Sequence, residues 1–164
     1  MSMWWSLHLR REAASVPLAR RFLLGSMETA GVDPDVSFEL SVALSEACAN
    51  AVEHGGEADG PDGARPAGQY RVTVHLDGAT CRIEVADSGP GFPLRHTLHT
   101  DVPPTAPQYP GGADVRDLAE SGRGLGLIEQ LADHVHIGNR PGHGAVVSFD
   151  KALKWREDAL LTRV

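Results

Sequence analysis

The chain has 164 residues, 41% of them hydrophobic and 23% charged, with a formal net charge of −7. That length suits one domain with a proper core and is too short for two ordinary ones. The acidic balance argues against general nucleic-acid binding, which needs Lys and Arg to neutralise phosphates, and leaves room for a basic protein partner. No apolar run approaches a membrane span, and Ser6, His8 and Arg10 interrupt any leader-like stretch in MSMWWSLHLRR. A cytoplasmic protein with one domain over residues 1–164 is expected.

Residues 3–10 alternate, with Met3, Trp5, Leu7 and Leu9 on one side and Trp4, Ser6, His8 and Arg10 on the other. This is the period of a half-buried strand, and of Trp4 and Trp5 one is expected in the core and the other on the surface or at an interface. Ser15, with Pro17 just behind it, starts a helix. Its inward residues are Val16, Leu18, Ala19, Phe22, Leu23 and Met27, and Gly31 ends it. Asp33-Pro34 starts a second helix, capped by Asp33 and running to about His54. Val36, Leu40, Ala43, Leu44, Ala47 and Ala51 form its apolar stripe. Small residues in its second half let another element come close.

Residues 55–68 are expected to be a surface loop. Residues 69–87 read as a hairpin: Tyr70, Val72, Val74 and Leu76 alternate, Asp77-Gly78 turns, and Cys81, Ile83 and Val85 alternate back. Cys48 and Cys81 show no metal or disulfide spacing and are expected to be two reduced core thiols. Residues 93–121 are rich in proline and lack periodicity, which marks a lid or binding loop. A short helix, LGLIEQLAD, then a strand, HVHIG, and a last strand, AVVSFDKAL, complete the pattern. The tail from about 154 to 164 frays or packs as a short helix. Strands gathered after helices indicate an α+β, two-layer α/β sandwich, with a mixed, mostly antiparallel sheet covered on one face by helices.

Three boxes carry chemistry. Glu46, Asn50 and His54 are spaced by four, so they stack on one helix face. A carboxylate there can take a proton, and a carboxamide oxygen is a hard ligand for Mg²⁺. Asp87 ends a strand, and Gly89 and Gly91 then make a turn that brings backbone close to a ligand. A carboxylate in that place is suited to accepting a hydrogen bond from an exocyclic amine. Gly122, Arg123, Gly124, Leu125 and Gly126 precede a helix and resemble a phosphate loop, without the Rossmann or Walker pattern. His96, His99, His134, His136 and His143 share no metal spacing on one element.

Taken together, these residues resemble the GHKL ATPase superfamily. Its N box is matched by Glu46, Asn50 and His54, its D-x-G-x-G box by Asp87, Gly89 and Gly91, and its later glycine box by Gly122, Gly124 and Gly126. The wording SEACANAVEHG and the small size are most similar to the anti-sigma-factor serine kinases of the RsbW type. The resemblance implies a Bergerat-type fold that binds ATP and Mg²⁺. Glu46 would be the general base and Asn50 the magnesium ligand. Asp87 would receive the adenine amino group, with Gly91 closing that pocket. Gly122, Gly124 and Gly126, with Leu125 between them, would wrap the phosphates, while Arg123 either touches those phosphates or is an exposed lid arginine. Residues 93–121 would be the lid.

The implied partners are a sigma factor and a STAS-type anti-sigma-factor antagonist. The chain would phosphorylate the antagonist on serine or threonine, and a homodimer is allowed. The alternative is a nucleotide-dependent binding module without kinase activity. The family often has threonine after the late glycine. Here Ala145 follows Gly144, and the missing hydroxyl would remove one hydrogen bond, about 1 kcal/mol, from the adenine pocket.

Overall fold

The computed structural model describes residues 2–54, 68–87, 125–140 and 144–157. In chain order the elements are β1 (Met3–Arg10), α1 (Ser15–Ala30), α2 (Pro34–His54), β2 (Gln69–Leu76), β3 (Thr80–Asp87), β4 (His134–Arg140) and β5 (Gly144–Ala152). A third helical segment, residues 125–131, lies between β3 and β4. The loop expected at 55–68 and the lid expected at 93–121 lie outside the described residues, apart from Gly68.

The strands form one sheet in the order β1-β2-β3-β5-β4. Every described pairing is antiparallel. The alternation read from the sequence sets the register. Tyr70, Val72, Val74 and Leu76 of β2 and Cys81, Ile83 and Val85 of β3 are all buried beneath the helices. The opposite face carries a row across all five strands, polar beyond β1: Trp4, His75, Arg82, Asp150 and His134 are neighbours in register. His134 Nδ1 and Asp150 Oδ1 close that row at 2.7 Å.

α2 begins where Asp33 Oδ1 accepts from the amides of Asp35 at 2.9 Å and Val36 at 3.4 Å. These amides have no partner inside the helix, so the cap satisfies them. The predicted apolar stripe is buried throughout, with Cys48 beside it. α1 ends at Gly31, whose φ of 91° is a left-handed conformation that costs glycine little.

α1 departs from expectation on its outer side. Leu18 and Phe22 were expected to face inward but are 55% and 48% exposed. The buried stripe is narrower, namely Ser15, Ala19, Leu23, Met27 and Ala30. One sheet face and one neighbouring helix cannot cover a wider arc. Phe22 instead meets the edge of Trp5, with ring centroids 4.7 Å apart and planes at 71°. Trp4 is the surface tryptophan, 65% exposed.

Of the tail expected to fray or pack as a short helix, residues 154–157 are described and 158–164 lie outside the described residues. Leu153 to Arg156 run extended across the turn between the helices. Lys154 O accepts from Asp33 N at 2.8 Å, and Gly31 O accepts from Arg156 N at 2.8 Å. Trp155 bridges Val32 and donates its indole N–H to Gly78 O at 3.1 Å. The backbone groups of the α1–α2 turn thereby find partners.

Candidate functional site

α2 packs against β3 and β5. Ala43, Ala47 and Ala51 lie at the contact and are almost fully buried, so the helix sits close on the sheet. Glu46 and Asn50 are on one shoulder of that buried stripe and are half-buried. The Asn50 Nδ2 is buried and has no hydrogen-bond partner among the described residues. An unanswered buried amide costs about 1–3 kcal/mol. It is stable where a ligand completes its bonding, and the amide's oxygen and nitrogen exchange places by a simple flip. This orphan fits a site that takes phosphate oxygens and Mg²⁺, since a carboxamide oxygen is a suitable hard donor.

Asp87 is the last residue of β3 and pairs with Tyr70 of β2. Its Oδ1 accepts from the main-chain amide of Ala145 on β5 at 3.0 Å. The carboxylate is therefore oriented by the neighbouring strand's backbone. The sequence reading counted the hydroxyl that Ala145 lacks and missed the amide that Ala145 supplies. Only the β3–β5 pairing, across 58 residues of sequence, could reveal that bond.

Leu125 is buried and opens the 125–131 helix. Gly126 is exposed within that helix, and a Cβ added there would meet nothing within 4 Å. Neither space nor backbone angle demands glycine at 126 in this conformation. Gly89, Gly91, Gly122, Arg123 and Gly124 lie outside the described residues. His54 ends α2.

Further residues were not singled out by motif. Arg11 donates to the carbonyls of Ala51 and Glu53, each at 3.3 Å, and so holds the last turn of α2 beside Asn50. Lys151 pairs with Glu39 of α2 at 2.8 Å and donates to Leu131 O at 2.7 Å, which ties α2 to the end of the 125–131 helix. Beneath Cys48, the hydroxyls of Ser15 and Tyr70 meet at 2.5 Å. Cys48 and Cys81 are free buried thiols, as expected, and burial pushes each up to about 12. No metal-binding group of His, Cys, Asp or Glu occurs among the described residues. Among them, too, no helix is long and apolar enough to cross a membrane.

The sequence pattern of the histidine kinase-like ATPase domain matches residues 9–151. The chain belongs to that family. It is 34% identical over 140 residues to the serine-protein kinase RsbW of Bacillus licheniformis, covering 84% of this chain and 78% of that protein. It is 29% identical over 130 residues to the anti-sigma F factor of Anoxybacillus flavithermus, covering 76% of each. The GHKL resemblance read from the three boxes therefore holds, and the chain is an RsbW-like member. The fold is similar to a crystal structure of the RsbU and RsbW domains of a Mycobacterium tuberculosis protein, with a TM-score of 0.58 at 21% identity. That likeness covers 91% of this chain and 32% of the larger one.

Proposed function

We propose that this protein is an ATP-dependent serine/threonine kinase and anti-sigma factor, which holds a sigma factor and phosphorylates a STAS-type antagonist. The observation that carries the reading is the pairing of two features on one core. α2 presents Glu46 and the orphan amide of Asn50, and β3, packed beneath it, ends in an Asp87 oriented by Ala145. The names of the similar proteins support the same reading.

In this reading Asp87 accepts the adenine amino group, and guanine, which presents a carbonyl there, is refused. Glu46 takes the proton of the acceptor hydroxyl as its oxygen bonds to the γ-phosphorus. The bond from that phosphorus to the β–γ bridging oxygen breaks, and ADP leaves with the electron pair. Asn50 is the protein ligand for magnesium, which would offset the charge of the phosphates when bound. Partner choice then lies in surfaces outside the boxes.

The test uses labelled ATP and STAS-type proteins from the same genome, with detection of phosphoserine and phosphothreonine. The wild-type chain should label one of them and prefer ATP to GTP. Glu46→Gln should lower transfer by at least about 100-fold while ATP still binds. Undiminished transfer by Glu46→Gln would remove that residue's role. ATP binding without transfer to any such protein would favour a binding module.

A further inference from the structure

α2 ends at His54, so the carbonyls of Ala51 and Glu53 are among the last four of the helix and have no partner inside it. Arg11 answers both. Its Nε donates to Ala51 O and its Nη2 to Glu53 O, each at 3.3 Å. The guanidinium is a rigid, planar fork. Two bonds from one such fork fix where the helix end lies, whereas a lone charge would only attract it.

The backbone of the same residue is tied elsewhere. Arg11 N donates to Gly68 O at 2.5 Å. The preceding Arg10 is the register partner of Gln69, and Tyr70, the next residue of β2, is the partner of Asp87. Arg11 is therefore bonded through its main chain at the end of the sheet that carries Asp87. Through its side chain it is bonded to the end of α2 that carries Asn50. Helical spacing pairs the carbonyl of Asn50 with the amide of His54, inside the turn that Arg11 holds. The Asn50 Nδ2 has no hydrogen-bond partner among the described residues. No bond to that nitrogen aims the carboxamide, so its direction follows the backbone that carries it.

We propose that Arg11 is a positioning residue of the nucleotide site: it fixes the last turn of α2 to the sheet end that bears Asp87, and so holds Asn50 in place as the magnesium ligand. This rests on the reading that Asn50 and Asp87 hold ATP and magnesium. Arg11 acts through the helix end and not on the phosphates.

The experiment compares wild type with three variants. Arg11→Met keeps the reach of the side chain and loses every donor. Arg11→Lys keeps the charge and a donor but not the fork. Asp33→Ala removes the cap at the far end of the same helix and is the control for general loosening. Calorimetry gives the affinities for ATP with magnesium, ATP with EDTA, and adenosine, which depends on Asp87 and not on Asn50. Arg11→Met should reduce magnesium's enhancement of ATP affinity by about tenfold, in the range typical of groups that orient a metal ligand. Adenosine affinity should be unchanged. Loss of a nearby positive charge by itself has the opposite sign, since it weakens free ATP more than the less negative magnesium complex. Arg11→Lys should lie between Arg11→Met and wild type, and reports even if Arg11→Met does not fold. Asp33→Ala should keep the full enhancement. In the nucleotide-free chain, the side-chain amide resonances of Asn50 should shift in Arg11→Met and stay in place in Asp33→Ala. A wild-type enhancement in Arg11→Met, an enhancement in Arg11→Lys no larger than in Arg11→Met, an equal loss in Asp33→Ala, or unmoved Asn50 resonances in Arg11→Met overturns the proposal. A wild-type chain that binds ATP no better with magnesium than with EDTA would overturn the nucleotide reading itself, while the Asn50 resonances still report on Arg11.

Discussion

At the scale of single residues, the decisive contact is between Asp87 and the amide of Ala145. It orients one carboxylate oxygen through a group that nearly every residue type possesses. Ala145→Thr should therefore change ATP affinity by no more than a few-fold, because the amide stays where it is. Asp87→Asn should weaken ATP binding by about 10- to 100-fold, since charged hydrogen bonds contribute about 1.5–3 kcal/mol. Calorimetric titration of both variants checks the pair. Equal losses would mean that the side chain at 145, and not its backbone, shapes the pocket. The Asn50 amide follows the same logic from the other side. Its buried nitrogen has no hydrogen-bond partner among the described residues, a stability cost of the kind functional sites accumulate.

At the scale of elements, α2 is held at both ends by groups outside it. Asp33 satisfies amides at its start, and Arg11 satisfies carbonyls at its finish. The second matters for the site, because Asn50 lies in the penultimate turn. The carbonyls of a last turn have no intrahelical partner, and a cation there also meets the negative end of the helix dipole. Arg11→Ala should lower stability by about 0.3–1 kcal/mol. It should also speed hydrogen exchange of the last α2 amides more than those of its first turns. Uniform exchange along α2, compared with wild type, would mean that Arg11 does not hold that end. The clasp of Leu153 to Arg156 acts at the other end of the sheet, where Trp155 meets the β2–β3 turn. It locks the frame and leaves the Asp87 end alone.

At the scale of the whole molecule, the core holds two thiols and a phenol in an apolar layer. Burial pushes Cys48 and Cys81 from 9.0 to about 12, and Tyr70 upward also. A group whose folded value lies above its unfolded one stabilises the fold fully below the unfolded value. That contribution is lost as pH rises toward the folded value. The melting temperature should therefore hold near neutrality and fall progressively from about pH 9 to about pH 12. Thermal melts of wild type and a Cys48→Ala, Cys81→Ala double variant test this. The variant should be less stable at neutral pH yet lose less on going alkaline. Parallel curves would show that the thiols do not cause the decline.

The sequence by itself determined the elements and singled out the candidate site residues. A period of two in residues 3–10 and 69–87 and an apolar stripe along Pro34–His54 are local facts, fixed by which side chains must leave water. The Glu46–Asn50 spacing and the strand-ending Asp87 were legible for the same reason, since chemistry at a helix face or a strand end needs only neighbours in the chain. The arc of α1 was over-read, because Leu18 and Phe22 are apolar and correctly phased, yet only packing decides how much of a helix is covered. The strand order β1-β2-β3-β5-β4 brings Ala145 beside Asp87, and the sheet meets α1 where Tyr70 bonds Ser15. Those contacts join residues far apart in the chain by backbone amides and hydroxyls that carry no pattern of their own. Tertiary structure alone decided them, because a hydrogen bond is specified by where two groups end up and not by the residue types that supply them.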